Sequence, residues 1–155
     1  MKKAKSVGPG ASRSHRLRVL FVCVGNACRS PMAEAISRYD AADVIEGSSA
    51  GLCPLGYVAE LTKQTLRKNG YSANGLTSDV LRKEAAEAAD LIINMTGRAS
   101  EEIFRGRENV EDWLVQDPFG ADPETYQRVF EGIQRRVNQL ASSLREQRQA
   151  QKAPR

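Results

Sequence analysis

Val19-Leu20-Phe21-Val22-Cys23-Val24-Gly25-Asn26-Ala27-Cys28-Arg29-Ser30-Pro31-Met32-Ala33-Glu34 is the stretch that decides the fold. It opens on apolar, β-favouring residues, passes through a short loop holding Gly25 and Asn26, and continues into a helix-forming run. Ser30 stands where a helix N-cap belongs and Pro31 at the first helical position, and both residue types are favoured there. A strand, a tight loop and a helix start make an anion pocket, because the first N–H groups of a helix have no intrahelical partner and face the loop. In this pocket Cys23 supplies a thiol at one end and Arg29 a guanidinium at the other.

Outward from this stretch, strands alternate with helices. Leu17 to Cys23 is apolar enough to be buried on both faces, as in a parallel sheet. The next helix reaches about Asp40, with Met32, Ala35, Ile36 and Tyr39 at helical spacing. Val44 to Gly51 reads as a second strand, and Leu52 to Tyr57 as a loop. Val58 to Asn69 reads as a helix with Leu61, Thr65 and Leu66 inward, closed by Gly70. Thr77-Ser78-Asp79 predicts the start of a helix through about Ala89, with Val80, Leu81 and Ala85 on one side. Asp90 to Met95 is a third strand, 98–104 a short helix and Val110 to Val115 a fourth strand. Pro118 keeps Asp117 out of helical geometry, so Gln116 to Gly120 is a loop. Asp122 and Pro123 start a last helix to about Arg148, with Val129, Phe130, Ile133, Val137, Leu140 and Leu144 as its apolar stripe.

This order predicts a single α/β domain over 17–148: a four-stranded parallel sheet flanked by helices on both faces, with the anion-binding loop after strand 1. Residues 1–16, basic and carrying Gly8-Pro9-Gly10, read as a disordered leader, and 149–155 as a frayed tail. Ligands of such sheets bind past the carboxyl ends of the strands. Cys23 and Asp117 both fall there.

Composition bounds the function. The chain has 155 residues, 41% hydrophobic and 27% charged, and no apolar run of the roughly 20 residues that span a bilayer. The net charge of +4 lies largely in the two tails. It reads as solvated charge, with neither a nucleic-acid nor a membrane partner. Three cysteines, Cys23, Cys28 and Cys53, are too few for a secreted disulfide framework and point to the cytoplasm. With His15 as the only histidine, no metal site is expected, and no cofactor.

The reactive form of a cysteine is the thiolate, so a nucleophilic cysteine sits among donors and positive charge. Arg29, Ser30 and the helix-terminal amides are such donors around Cys23. Arg29 presents a planar fork that matches two phosphate oxygens. Gly25 lets the backbone turn tightly, and Asn26 tolerates a left-handed conformation while its amide braces the loop. Asp117 is a candidate proton donor at the same sheet edge.

Val-Cys-Val-Gly-Asn-Ala-Cys-Arg-Ser-Pro-Met-Ala-Glu, with Ser49-Ala50-Gly51 and Asp117-Pro118-Phe119-Gly120, resembles the low-molecular-weight protein tyrosine phosphatase family over about Leu17 to Leu144. The resemblance implies that Cys23 attacks phosphorus and forms a phosphocysteine. Arg29 would hold the phosphate, and Asp117 would protonate the leaving group and then activate water. It also implies that Val24, Gly25, Asn26, Ala27, Cys28 and Ser30 line and support the loop, with no metal required. Cys28 would form a reversible disulfide with Cys23 on oxidation. Cys53 and Phe119 would stand at the pocket rim.

The substrate stays open between readings. One is phosphotyrosine or another phosphorylated side chain of a protein, or a small phosphomonoester, with inorganic phosphate as product and a monomer favoured. Another is phosphoarginine. Ala27 matches neither the threonine typical of protein-arginine phosphatases nor the bulkier aliphatic residue of tyrosine-specific members. Arsenate reduction ranks lower, because family members that perform it place a cysteine pair after the third strand and no cysteine follows Cys53. A non-catalytic oxyanion-binding module is the remaining alternative.

Overall fold

The computed structural model describes residues 15–152. Its elements are β1 (Leu17–Cys23), α1 (Arg29–Asp40), β2 (Ile45–Gly51), α2 (Glu60–Lys68), α3 (Lys83–Ala88), β3 (Leu91–Asn94), α4 (Ser100–Ile103), β4 (Val110–Asp112) and α5 (Pro123–Lys152). The strands form one parallel sheet in the order β2-β1-β3-β4. The expected four-stranded sheet with helices on both faces is therefore the observed fold.

Side chains of β1 alternate between two apolar layers, as the two-residue period of a strand requires. Val19, Phe21 and Cys23 enter the larger layer with Met32, Ile36, Phe130, Ile133 and Val137 of α1 and α5. Leu20 and Val22 enter the smaller one with Ala86, Ile92 and Phe104. Phe21 and Phe130 are fully buried, each contributing about 1.5–3 kcal/mol of hydrophobic stabilisation. Cys23 thus ends the central strand on the face where α1 begins. The chain leaves β1 toward β2 on one side and β3 on the other, which makes the carboxyl end of β1 a topological switch point.

Several expectations need correction. The helix expected from Thr77 begins only at Lys83, because residues 79–81 are drawn into extended pairing with the end of β2. The Gly51 N–H donates to the Asp79 carbonyl at 2.8 Å and the Leu81 N–H to the Gly51 carbonyl at 2.8 Å. Ser30 does not cap α1: the N-cap residue is Cys28, without a side-chain cap bond. Tyr39 is not inward but exposed, edge-on to Tyr71. β4 stops at Asp112 rather than Val115. α5 is helical through Lys152, which includes the first residues of the tail expected to fray from Gln149; 153–155 lie outside the described residues. Of the expected leader, 1–14 lie outside the described residues. His15 Nε2 lies 3.4 Å from Asp90 Oδ2, and Arg16 pairs with Glu46.

Candidate active site

The loop from Cys23 to Arg29 is held by its carbonyls. Those of Cys23, Val24 and Gly25 accept from the N–H groups of Leu52, Cys53 and Leu55 at 3.2, 2.8 and 3.0 Å. The Ala27 carbonyl accepts from the Ala59 N–H at 3.1 Å and from Thr62 Oγ1 at 2.8 Å. With the carbonyls turned outward, the N–H groups of Gly25 to Cys28 have no acceptor among the described residues. That is the arrangement of a backbone nest that receives an anion.

Asn26 sits at the centre with φ 48°, among the described residues the one non-glycine in the left-handed region. It is fully buried, and both polar atoms of its side-chain amide are engaged. Nδ2 donates to Ser30 Oγ at 2.7 Å and Ser49 Oγ at 3.1 Å, while Oδ1 accepts from the Asp79 N–H at 2.7 Å. These bonds hold the strained conformation in place. Ser30 Oγ lies 3.0 Å from Cys23 Sγ and 3.4 Å from the Ala50 carbonyl, so the hydroxyl that accepts from Asn26 faces the thiol. Ser49 Oγ in turn donates to Glu34 Oε1 at 2.6 Å, and Arg38 Nη2 donates to Glu34 Oε2 at 2.6 Å. Burial raises the Glu34 carboxyl above its ordinary pKa against the opposing effect of its Ser49 and Arg38 bonds. A connected line of side chains therefore runs from Arg38 through Glu34, Ser49, Asn26 and Ser30 to Cys23.

Gly51 is required where it stands. A Cβ there would meet the Val24 carbonyl oxygen at 2.7 Å and the Asn26 Cβ at 2.8 Å. Ser78 closes the other side: its Oγ donates to the Gly25 carbonyl at 3.1 Å and accepts from the Gly56 N–H at 3.1 Å.

Arg29 is only 5% exposed. Its Nη1 donates to the Met95 carbonyl at 2.6 Å and the Val115 carbonyl at 3.2 Å, and its Nη2 lies 3.5 Å from Asp117 Oδ2. Its buried Nε has no partner among the described residues. A buried donor left unpaired costs free energy, and an anion in the nest is what would satisfy it. Asp117 is exposed, its Oδ1 accepting from the Phe119 N–H at 3.1 Å. The structure thus brings Cys23, Arg29, Ser30, Asn26 and Asp117 to one end of the sheet.

Cys28 is buried, its Sγ 3.4 Å from Tyr126 Oη of α5. Burial pushes its thiol above the ordinary pKa despite hydrogen bonds from Tyr126 and Thr62. Val24, next to Cys23 in sequence, is partly buried, and Ala27 is buried. Cys53 and Phe119 are exposed. Leu55 and Tyr57, two further exposed apolar residues, share the Cys53 loop, with Leu55 Cγ 3.3 Å from where a Cβ on Gly25 would lie.

Sequence reasoning missed the bracing roles of Glu34, Arg38, Ser78 and Asp79. The spacing Ser30, Glu34, Arg38 on one helix face was an available signal. Ser78 and Asp79 were hidden by the helical reading of their segment. Among the described residues no cluster of three or more His, Cys, Asp or Glu could hold a metal ion, and no helix is long and apolar enough to cross a membrane.

Known proteins align with this site over its whole frame. The chain is 31% identical over 148 residues to the protein-arginine-phosphatase of Bacillus subtilis (strain 168), covering 84% of this chain and 98% of that protein. It is 30% identical over 135 residues to the glutaredoxin arsenate reductase of Synechocystis sp., covering 82% and 98%. The YwlE arginine phosphatase from Geobacillus stearothermophilus superposes with a TM-score of 0.78 at 27% identity, covering 90% of this chain and 99% of that one. The family model for low molecular weight phosphotyrosine protein phosphatase matches residues 18–150, and the chain belongs to that family.

Proposed function

We propose that this chain is a metal-independent phosphoprotein phosphatase that works through a phosphocysteine. The observation that carries the reading is the buried pairing of Cys23 Sγ with Ser30 Oγ at 3.0 Å, at the two ends of a loop whose Gly25 to Cys28 N–H groups lack acceptors among the described residues.

The phosphoryl oxygens of the substrate are received by those N–H groups and by Arg29, whose Nε is buried and unpartnered among the described residues. Cys23 Sγ attacks phosphorus as the bond to the leaving oxygen or nitrogen breaks. Asp117 gives its proton to that leaving atom. Water then attacks the phosphocysteine, Asp117 takes its proton, and inorganic phosphate departs as the thiolate re-forms. The Ser30 hydroxyl stabilises the thiolate in both steps. Preorganised donors aimed at developing charge usually supply the greater part of the rate enhancement in such chemistry, and Asn26 is what holds them in place. Cys28 is the resolving thiol that captures Cys23 after oxidation. A reducing cytoplasm suits an enzyme of this kind.

The substrate reading is phosphotyrosine or another phosphorylated side chain. Phosphoarginine is the second reading, favoured by relatives named protein-arginine phosphatases at 31% identity. Relatives named arsenate reductases match as well, but a chain whose last cysteine is Cys53 has no downstream pair to carry a disulfide outward. Initial rates on phosphotyrosine and phosphoarginine peptides, side by side, test the reading with Cys23→Ser as control. Turnover of at least one peptide that vanishes in the control is expected. Turnover surviving Cys23→Ser sinks the mechanism. Arsenate-dependent thiol oxidation without phosphatase turnover supports the reductase instead.

A further inference from the structure

A groove of about 460 Å³ lies between the segment from β4 to the acid loop and helix α5. Arg128, Arg135 and Arg136 line it together with Leu114, Gln116 and Gly132. No carboxylate lines it, and none of the three arginines makes a salt bridge among the described residues. The acids nearby have other hydrogen-bond or ion-pair partners, and Asp122 feels Arg128 only through its charge, after its stronger bonds to Thr125. Glu111 accepts from Trp113 Nε1 at 2.9 Å, Asp122 from the Thr125 N–H at 2.9 Å, and Asp117 faces Arg29.

We propose that this groove is a docking site for an acidic peptide segment of the protein substrate. The proposal rests on the phosphoprotein phosphatase reading above. Two arginines are oriented rather than loose: Arg136 Cζ lies 5.8 Å from the Trp113 ring centroid and its Nη2 3.4 Å from the Leu114 carbonyl, while Arg128 Nη2 donates to Thr125 Oγ1 at 3.1 Å. Gly132 lies inside a long helix, where glycine lowers stability relative to alanine. No close approach explains it: a Cβ there would meet only Arg135 Nη2, at 3.8 Å. The missing side chain keeps the groove floor open. From Arg128 to Gln139 the stripe is about 16 Å long at 1.5 Å per residue, which accommodates about five residues of extended peptide. One end is anchored to the site itself, since Gln116 lines the groove, Asp117 follows it, and the Val115 carbonyl binds Arg29. Leu114, 87% exposed, offers an apolar contact at the lip. Nucleic acid fits less well, because none of the described residues that line the groove is aromatic, and Trp113, beneath Arg136, is buried and offers no face for a base to stack on.

The test compares the full-length protein with Arg128→Gln/Arg135→Gln and, separately, Gly132→Leu, which fills the floor without changing charge. Substrates are p-nitrophenyl phosphate and phosphopeptides flanked by either Glu/Asp or Gln/Asn. The expected result is a lower KM for the acidic peptide in the unmodified protein. Both variants should raise that KM by about three- to tenfold, Arg128→Gln/Arg135→Gln through loss of exposed ion pairs and Gly132→Leu through occupation of the floor, with the p-nitrophenyl phosphate and neutral-peptide rates unchanged. Equal KM values for the two peptides in the unmodified protein, or an acidic preference kept by both variants, overturns the proposal. A fluorescent unphosphorylated acidic peptide, titrated by anisotropy, reads the groove without catalysis. Binding weakened by both variants supports docking even if no phosphorylated substrate turns over, an outcome that defeats only the phosphatase reading. Binding unaffected by either variant overturns docking whatever the turnover. Tighter, equally arginine-dependent binding of a single-stranded RNA of matched charge also overturns it.

Discussion

Arg29 Nη2 lies 3.5 Å from Asp117 Oδ2, joining two residues far apart in sequence across the carboxyl end of the sheet. The guanidinium is fixed by the Met95 and Val115 carbonyls, at the ends of the third and fourth strand regions, so its orientation is set by the sheet. Lysine offers one point charge where three placed donors are used. Arg29→Lys should therefore lower kcat/KM by about two to three orders of magnitude. Steady-state kinetics on a small phosphomonoester check this. A loss under threefold would mean that the fork geometry is not used.

Gly51 faces the loop from β2. A methyl group there would stand 2.7 Å from the Val24 carbonyl oxygen and 2.9 Å from the Asn26 backbone nitrogen, which are main-chain atoms with little freedom to yield. Gly51→Ala should displace the loop and cost at least about a hundredfold in kcat, the scale expected when reacting groups shift by about an ångström. The same substitution at Gly56, whose Cβ would meet nothing within 4 Å, serves as a contrast for activity, although its φ of 89° strains any side chain.

Glu34 gives a pH prediction. Burial raises its carboxyl pKa in the folded protein. The native state then binds a proton more tightly than the unfolded chain, so this group's contribution to stability falls as pH rises through the carboxylate range. Glu34→Gln removes that dependence while leaving an oxygen for Ser49. Chemical denaturation of both proteins between about pH 4 and pH 7 should show the stability difference moving in favour of Glu34→Gln as pH rises. A difference moving the other way would mean that the Arg38 pair outweighs burial.

Cys28 is buried near Tyr126, and its thiol pKa is raised by that burial. In the proposed role of resolving partner it would attack the sulfenic acid formed when peroxide oxidises Cys23. Water leaves, and a disulfide remains that added thiol reduces. After mild peroxide, activity should return with thiol in the unmodified protein and return less fully in Cys28→Ser. Equal recovery in the two proteins would remove Cys28 from this role.

Much of the fold was legible because β1 and α5 carry unambiguous periods. The continuous apolar run to Cys23 predicts a central parallel strand, and Val129, Phe130, Ile133 and Val137 predict the helix face that covers it. The loop was legible because Gly25, Asn26 and Arg29 have few reasons to stand together except an anion site. The bracing segment was not. Thr77-Ser78-Asp79 has good helix-start chemistry, and only the pairing of Gly51 with Asp79 and Leu81 keeps it extended, a tertiary contact that local propensity does not encode. Ser30 shows a similar conflict: a residue suited to capping its own helix instead directs its hydroxyl to Cys23 and Asn26.

In the proposed mechanism Cys23 carries the phosphoryl group in a covalent intermediate. Asp117→Asn removes the proposed proton donor and base, and should slow turnover by about two to four orders of magnitude. Rapid acid quench of Asp117→Asn with a good leaving-group ester, followed by peptide mass analysis, measures the claim directly. One phosphoryl group is expected on the peptide that contains Cys23, absent in Cys23→Ser. Burst release of the leaving group with no phosphorylated Cys23 peptide, or phosphate found on another residue, would contradict it.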